Sequence, residues 1–280
     1  MSLQTGERGT IKPQAHFDAG DDAVALRKAI EGLGTKEKTL IDILTHRSSA
    51  QRQLICEAYV EATGRTLVDD LRGDTSGDLE ALLVALATPP AAFDCHEVMR
   101  AMKVSFTHKI NNNILLDNGK RDENTTVDTE KAKEDAKTLY DAGEKKWGTD
   151  ESKFVDILCQ RSVPQLRQTL VEYKNISGKT LQQSIEGEMT GELEELLVAI
   201  VKCVKSMPTY FAERLHESMK GGGTDESSLN RIMVSRSEID LLDIRAEFKK
   251  LYEYSLHSAI KSDLSGVLGD CVEAICGGDD

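Results

Sequence analysis

Three stretches of this chain align with one another, and no other feature restricts its possible folds as strongly. They read GLGTKEKTLIDILTHRS, KKWGTDESKFVDILCQRS and GGGTDESSLNRIMVSRS. Each is anchored on the glycine before a threonine: Gly34, Gly148 and Gly223. Thirteen residues after each glycine comes an arginine (Arg47, Arg161, Arg236), and forty residues after it an acid (Asp74, Glu188, Asp263). Each acid shortly precedes a small residue, a glycine and an apolar run: DTSGDLEALLVALA, EMTGELEELLVAIV and DLSGVLGDCVEAIC. Such self-similarity marks an array of supersecondary units that bury their apolar faces against neighbours.

The units read as helical. Leu40, Ile41, Ile43 and Leu44 mark one apolar face, and Leu79, Leu82, Leu83 and Leu86 follow i, i+3, i+4, i+7 spacing on another helix. Thr35, Thr149 and Thr224 stand where N-caps are expected, and Ser76, Thr190 and Ser265 where the later helix should start. With only five prolines and a chain rich in Leu, Ala, Glu and Lys, the fold class is all-α. The three arginines close a helix in each unit and read as structural, neutralising helix carbonyls or pairing with an internal acid. Val267 and Gly269 weaken the last helix, but Leu268, Val272 and Ile275 keep its apolar period.

The spacing of the units is uneven. Gly148 to Gly223 is 75 residues, whereas Gly34 to Gly148 is 114, too long for one period and too short for two. Between them PPAAFDCHEVMRAMK resembles MPTYFAERLHESMK, which leads into the last glycine loop. After Lys103 the expected glycine loop is replaced by VSFTHKINNNILL, then by a polar connector, DNGKRDENTTVDTEK. A second repeat has therefore kept its first helix and lost about forty residues. The expected organisation is a tail at 1–18, a first repeat at 19–92, a truncated second repeat and linker at 93–125, a third repeat at 126–206 and a fourth at 207–280.

The formal net charge of −13 argues against bare nucleic acid as a partner, since phosphate binding needs a basic footprint. The amino terminus lacks the apolar core of a secretory signal, and the longest apolar runs are too short to span a bilayer. Cys56, Cys95, Cys159, Cys203, Cys271 and Cys276 are scattered through apolar patterns, which fits buried free thiols in a reducing cytosol. No zinc spacing, Walker loop, GxSxG or HExxH is present, and no enzyme is expected.

Three glycines in a row are a poor start for a helix, yet they precede one. A glycine loop lets backbone carbonyls converge unhindered, and a carboxylate brought from a distant loop adds charge. Several carbonyls and one acid form a hard oxygen set suited to calcium. Paired with the acid forty residues on, the loop pattern GxGT resembles the calcium site of the annexin family. The closing LNRIMVSRSEIDLLDIRAEFKKLYEYSLHSAIKSDLSG resembles it too. The resemblance covers about residues 19–103 and 121–280.

It implies about five short helices per complete repeat and calcium-dependent binding to acidic phospholipid membranes. It also implies metal ligands: Ile30, Gly32 and Gly34 with Asp74; Gly143, Lys146 and Gly148 with Glu188; Met219, Gly221 and Gly223 with Asp263. Thr35 and Glu37 would form a weaker accessory site, and Trp147 would contact the membrane. The expected location is cytoplasmic, peripheral to membranes when calcium rises. In that family the first and fourth repeats pair, as do the second and third. The third repeat here would lack most of its partner, leaving a face open to a protein partner. A calcium-independent interaction scaffold with degenerate calcium sites is the alternative.

Overall fold

The structure, a computed structural model, describes residues 7–31, 34–105, 121–144 and 148–278. Among these residues every regular element is helical, sixteen helices in all. The first repeat holds α1 (Ala19–Ile30), α2 (Glu37–Thr45), α3 (Ser49–Thr63), α4 (Leu67–Asp74) and α5 (Gly77–Ala87). The remnant helix is α6 (Pro90–Ser105). The third repeat holds α7 (Thr129–Ala142), α8 (Glu151–Gln160), α9 (Val163–Ser177), α10 (Leu181–Glu188) and α11 (Glu192–Lys205). The fourth holds α12 (Met207–Ser218), α13 (Glu226–Arg236), α14 (Leu241–Tyr252), α15 (Leu256–Asp263) and α16 (Gly266–Cys276). Each complete repeat thus has five helices.

The chain forms two compact units. One is built from His108–Tyr210, the other from Ser2–Thr107 with Phe211–Asp280. In the second, the first and fourth repeats share one core that includes Leu40, Ile55, Leu82, Leu86, Leu229, Phe248, Val272 and Ile275. Helix α2 packs on α16, and α5 on α13 and α16. The Asn230 side-chain amide donates to the carbonyl of Asp78 at 3.4 Å, so the early turns of α13 and α5 lie together. Helix α6 packs on α13, where Glu97 lies 3.9 Å from Arg231. The other unit has its own core, around Leu139, Phe154, Leu158, Leu166, Tyr173, Ile185, Leu197 and Val201.

A buried arginine seals the shared core. Arg52 donates to the carbonyls of Leu86, Leu44 and Arg47 and to the Glu238 carboxylate at 3.0 Å, joining the first repeat to the fourth. Glu238 also accepts from the Ser49 amide. Loss of the guanidinium would take a donor from three carbonyls and from the Glu238 carboxylate.

The repeat arginines do pair with acids. Arg47 forms a two-pronged bond to Asp22 and Arg161 one to Asp135, both acids lying on the first helix of their repeat. In the fourth repeat Phe211 occupies the equivalent position. There Arg236 turns to Asp240, four residues on, and its guanidinium lies 4.9 Å from the Phe211 ring centre.

Two expectations are corrected. The threonines do not cap the second helices: Lys36, Asp150 and Asp225 do, and Asp225 accepts from the Ser228 amide. The threonine hydroxyls bond elsewhere, as described below. Thr190 likewise yields the N-cap to Gly191. The connector is exposed over its described part, and the third repeat holds it. Arg121 donates to the carbonyls of Arg161 and Leu158, Asp122 to that of Gln160, and Asp128 exchanges bonds with Gln165. Gln51 makes the same reciprocal pair with Gln14 in the first repeat.

Gly269 fits its helix for a packing reason. A Cβ there would come within 3.2 Å of the Leu264 backbone. The six cysteines are free; Cys159, Cys271 and Cys276 are buried, whereas Cys95 is exposed on α6.

Burial pushes the Cys271 thiol up to about 12. Native-state alkylation at pH 8 should therefore modify Cys95 first and leave Cys271 intact until unfolding, as peptide mapping over time would show. Arg52→Met should destabilise the shared core by about 3 kcal/mol, read from the urea midpoint.

Candidate metal centre

Each glycine loop is closed at its base by a backbone bond and tied across to its acid. The amides of Lys36, Asp150 and Asp225 donate to the carbonyls of Ala29, Ala142 and Ser218, at 2.9, 2.9 and 2.7 Å. The first and last closures span seven residues and the middle one eight, matching the extra residue in AGEKKWGT. Across the site, Thr35 Oγ1 donates to the carbonyl of Asp74 at 3.1 Å, and Thr149 Oγ1 to that of Glu188 at 3.3 Å. In the fourth repeat Thr224 Oγ1 reaches the Asp263 carboxylate itself at 2.5 Å. All three pairs are thirty-nine residues apart in sequence.

The closed loops leave open space. Gly34 and Gly148 take the left-handed backbone at φ +81° and +90°, where a side chain would be strained. In the fourth repeat Gly221 carries the positive φ (+117°). A Cβ at Gly34, Gly148, Gly221, Gly222 or Gly223 would meet nothing within 4 Å. Gly143 differs: it caps α7 beneath Phe154, whose ring lies 3.2 Å from a notional Cβ. A side chain there would push that ring by a few tenths of an ångström.

Ile30 ends α1 with its side chain buried, and Met219 is half-buried just beyond α12. Asp74 and Glu188 are the exposed last residues of α4 and α10; Asp263 ends α15 and is half-buried. Thr35 and Glu37 lie together at the start of α2. Gly32, Lys146 and Trp147 lie outside the described residues.

One further anchor has no signal in the repeat pattern. Glu144, next to Gly143, accepts from Lys179 Nζ at 2.9 and 3.0 Å and from Ser184 Oγ at 2.9 Å. The Lys179 bond holds its carboxyl below the usual range. This ties the longer loop to the start of α10. In the fourth repeat, the Ser228 side chain and amide likewise hold the Asp225 carboxyl low.

Among the described residues no three His, Cys, Asp or Glu side chains cluster as a metal site. The set that the described residues bring together is instead one acidic residue beside each glycine loop, through its backbone carbonyl in the first and third repeats and its carboxylate in the fourth. That set is hard, loosely constrained and incomplete without outside oxygen ligands, which fits calcium better than zinc or magnesium.

An annexin family model matches residues 21–86, 134–200 and 210–275. Annexin A3 of Bos taurus is 49% identical over 321 aligned positions, which take in 100% of this chain and 99% of the relative. About forty positions of that alignment therefore have no residue in this 280-residue chain. The solved structure of annexin III superposes with a TM-score of 0.91 at 49% identity, with 100% of both chains covered. Calcium-bound annexin (Sm)1 matches at 28% identity and a TM-score of 0.81, covering 98% of this chain and 94% of that one.

Gly148→Ala should strain the loop by roughly 1 kcal/mol. The Asp150 amide, protected by its bond to Ala142, should then exchange hydrogen on the order of fivefold faster.

Proposed function

This chain belongs to the annexin family, and on that premise we propose that it attaches to acidic phospholipid membranes in a calcium-dependent way. The observation that carries the proposal is the threefold bond from loop threonine to distant acid. It is the arrangement a cation site needs if it is to be open to a second, external ligand.

In this reading the carbonyls of Ile30, Gly32 and Gly34 act with Asp74, and those of Met219, Gly221 and Gly223 with Asp263. Gly143, Lys146 and Gly148 act with Glu188. Bound calcium would supply positive charge shared between these oxygens and a lipid phosphate. The closures from Lys36, Asp150 and Asp225 hold each loop's ends, so little conformational entropy remains to be lost on binding. One carboxylate per site keeps affinity low until lipid completes the shell, so calcium and lipid binding are linked. A cation between the two also reconciles a net charge of −13 with an anionic surface.

Thr35 and Glu37 offer a weaker accessory site, in which Lys36 replaces the aspartate of the other two loops. Trp147 belongs to the membrane contact. The proposal assigns no catalytic step, divides the chain into repeats at 19–92, 93–125, 126–206 and 207–280, and places it in the cytoplasm, peripheral to membranes when calcium rises.

One observation favours a second reading, an interaction scaffold. Leu196 on α11 is 38% exposed, whereas Leu82, its counterpart at the same offset in α5, is fully buried in the shared core. The third repeat's face is open to a protein partner.

Sedimentation with phosphatidylserine vesicles, run with calcium and with chelator, tests the proposal; phosphatidylcholine vesicles are the control. Pelleting is expected only with the acidic vesicles and calcium, reversed by chelator. Asp263→Asn should raise the calcium needed several-fold, and the triple change Asp74→Asn, Glu188→Gln, Asp263→Asn should abolish attachment. A chain with native circular dichroism that stays in the supernatant would leave the scaffold as the better account.

A further inference from the structure

The third helix of the third repeat carries a feature unrelated to the glycine loops. Arg167, Leu170, Val171 and Lys174 of α9, Thr180 and Leu181 at the start of α10, and Lys205 at the end of α11 line a shallow hollow of about 250 Å³. Its floor is apolar: Leu181 is buried, and Val171 is 54% exposed. Its rim is basic on two sides. Arg167 and Lys174 are seven residues apart on one helix, about 10 Å along its axis. Lys205 faces them from another helix. The guanidinium of Arg167 is steadied by donation from Nε to the Val204 carbonyl at 2.9 Å. Lys205 Nζ donates to Gln182 at 3.0 Å.

The hollow's cations stand on elements other than the candidate metal loop, whose Glu144–Lys179 tie reaches the hollow's edge beside Thr180. Helix α11 starts beside Glu188 and ends at Lys205 after 14 residues, about 21 Å on. Nothing in the loop chemistry uses these cations.

The repeats supply an internal comparison. Arg167, Val171 and Lys174 stand 19, 23 and 26 residues after Gly148. At the same offsets the fourth repeat has Leu242, Ala246 and Lys249, which also line a hollow, with Arg8 and Lys250 on its rim. The first repeat has Gln53, Glu57 and Val60 at those offsets, and no cation. Scaffold geometry alone therefore does not demand the basic rim. In a chain of net charge −13, cations gathered around exposed apolar side chains call for an anionic, partly apolar ligand. A bilayer offers a flat surface; a narrow hollow with cations on opposite sides fits a single protruding segment.

We propose that the α9 hollow is a calcium-independent docking site for an acidic amphipathic peptide segment of a partner protein. Apolar side chains of that segment seat on Leu170, Val171 and Leu181, and its carboxylates face Arg167, Lys174 and Lys205.

The test uses the full chain in chelator and fluorescence anisotropy. The probe is a fluorescein-labelled helical peptide of Leu, Glu and Ala with leucines at i, i+3, i+4 and i+7. A twin peptide with Lys in place of Glu is the control. Saturable binding of the acidic peptide alone is expected. The triple variant Arg167→Gln, Val171→Glu, Lys174→Val installs residues the same fold already carries in its first repeat. It should weaken binding at least tenfold while circular dichroism and calcium-dependent vesicle pelleting stay unchanged. Absent saturation, equal binding of the basic peptide, or an unaffected triple variant would each overturn the assignment. So would calcium-free pelleting with phosphatidylserine vesicles that the triple variant loses, since the hollow would then serve an anionic bilayer.

Discussion

One hydroxyl per complete repeat decides where the loop and its acid stand. Thr35, Thr149 and Thr224 each reach a partner thirty-nine residues away, joining the start of a second helix to the end of a fourth. A glycine-rich segment left to itself would spread over many conformations, and ordering it costs free energy. Here the cost falls on the loop's ends. A backbone bond closes its base and the threonine fixes its flank.

The same scaffold tolerates different local solutions. Two repeats anchor their arginine to an aspartate on the first helix; the fourth sets Phe211 there and moves the acid to Asp240. The longer loop of the third repeat gains a tie through Glu144 and Lys179 that has no counterpart among the described residues of the others. Gln51 and Gln165 perform one task in two repeats, each pinning the extended segment that leads into its repeat. The offset from the glycine keeps the position, while the chemistry at that position varies.

Much of this was legible in the sequence because helical period and fixed offsets are properties of one chain read against itself. Leu79, Leu82, Leu83 and Leu86 declare a helix without outside information, and three coincident offsets tie Asp74 to Gly34. What escaped depends on partners far away in sequence. A threonine before a helix looks like an N-cap, and only its neighbour thirty-nine residues on shows the other use. Asp22 and Asp135 lie twelve and thirteen residues before their glycines, so extending the repeat alignment upstream would have found them. Gly143 is also the C-cap of α7, where a Cβ would crowd the ring of Phe154. Gly269 read as a weak point in a helix and is instead a site of close approach to Leu264. The connector is exposed, as its polar composition suggests, and it is also held by a neighbour's carbonyls.

The shared core of the first and fourth repeats joins the two ends of the chain, with Ile11 and Ile275 in one cluster. This imposes an order on biosynthesis. The unit of His108–Tyr210 has all of its own core once Tyr210 has left the ribosome, and its contacts are close in sequence. The first repeat is translated earliest yet completes its packing last, because Leu82 and Leu86 wait for Val272 and Ile275. During that interval its apolar helices face the cell without their partner, so the part of the chain made first is the part most dependent on chaperones.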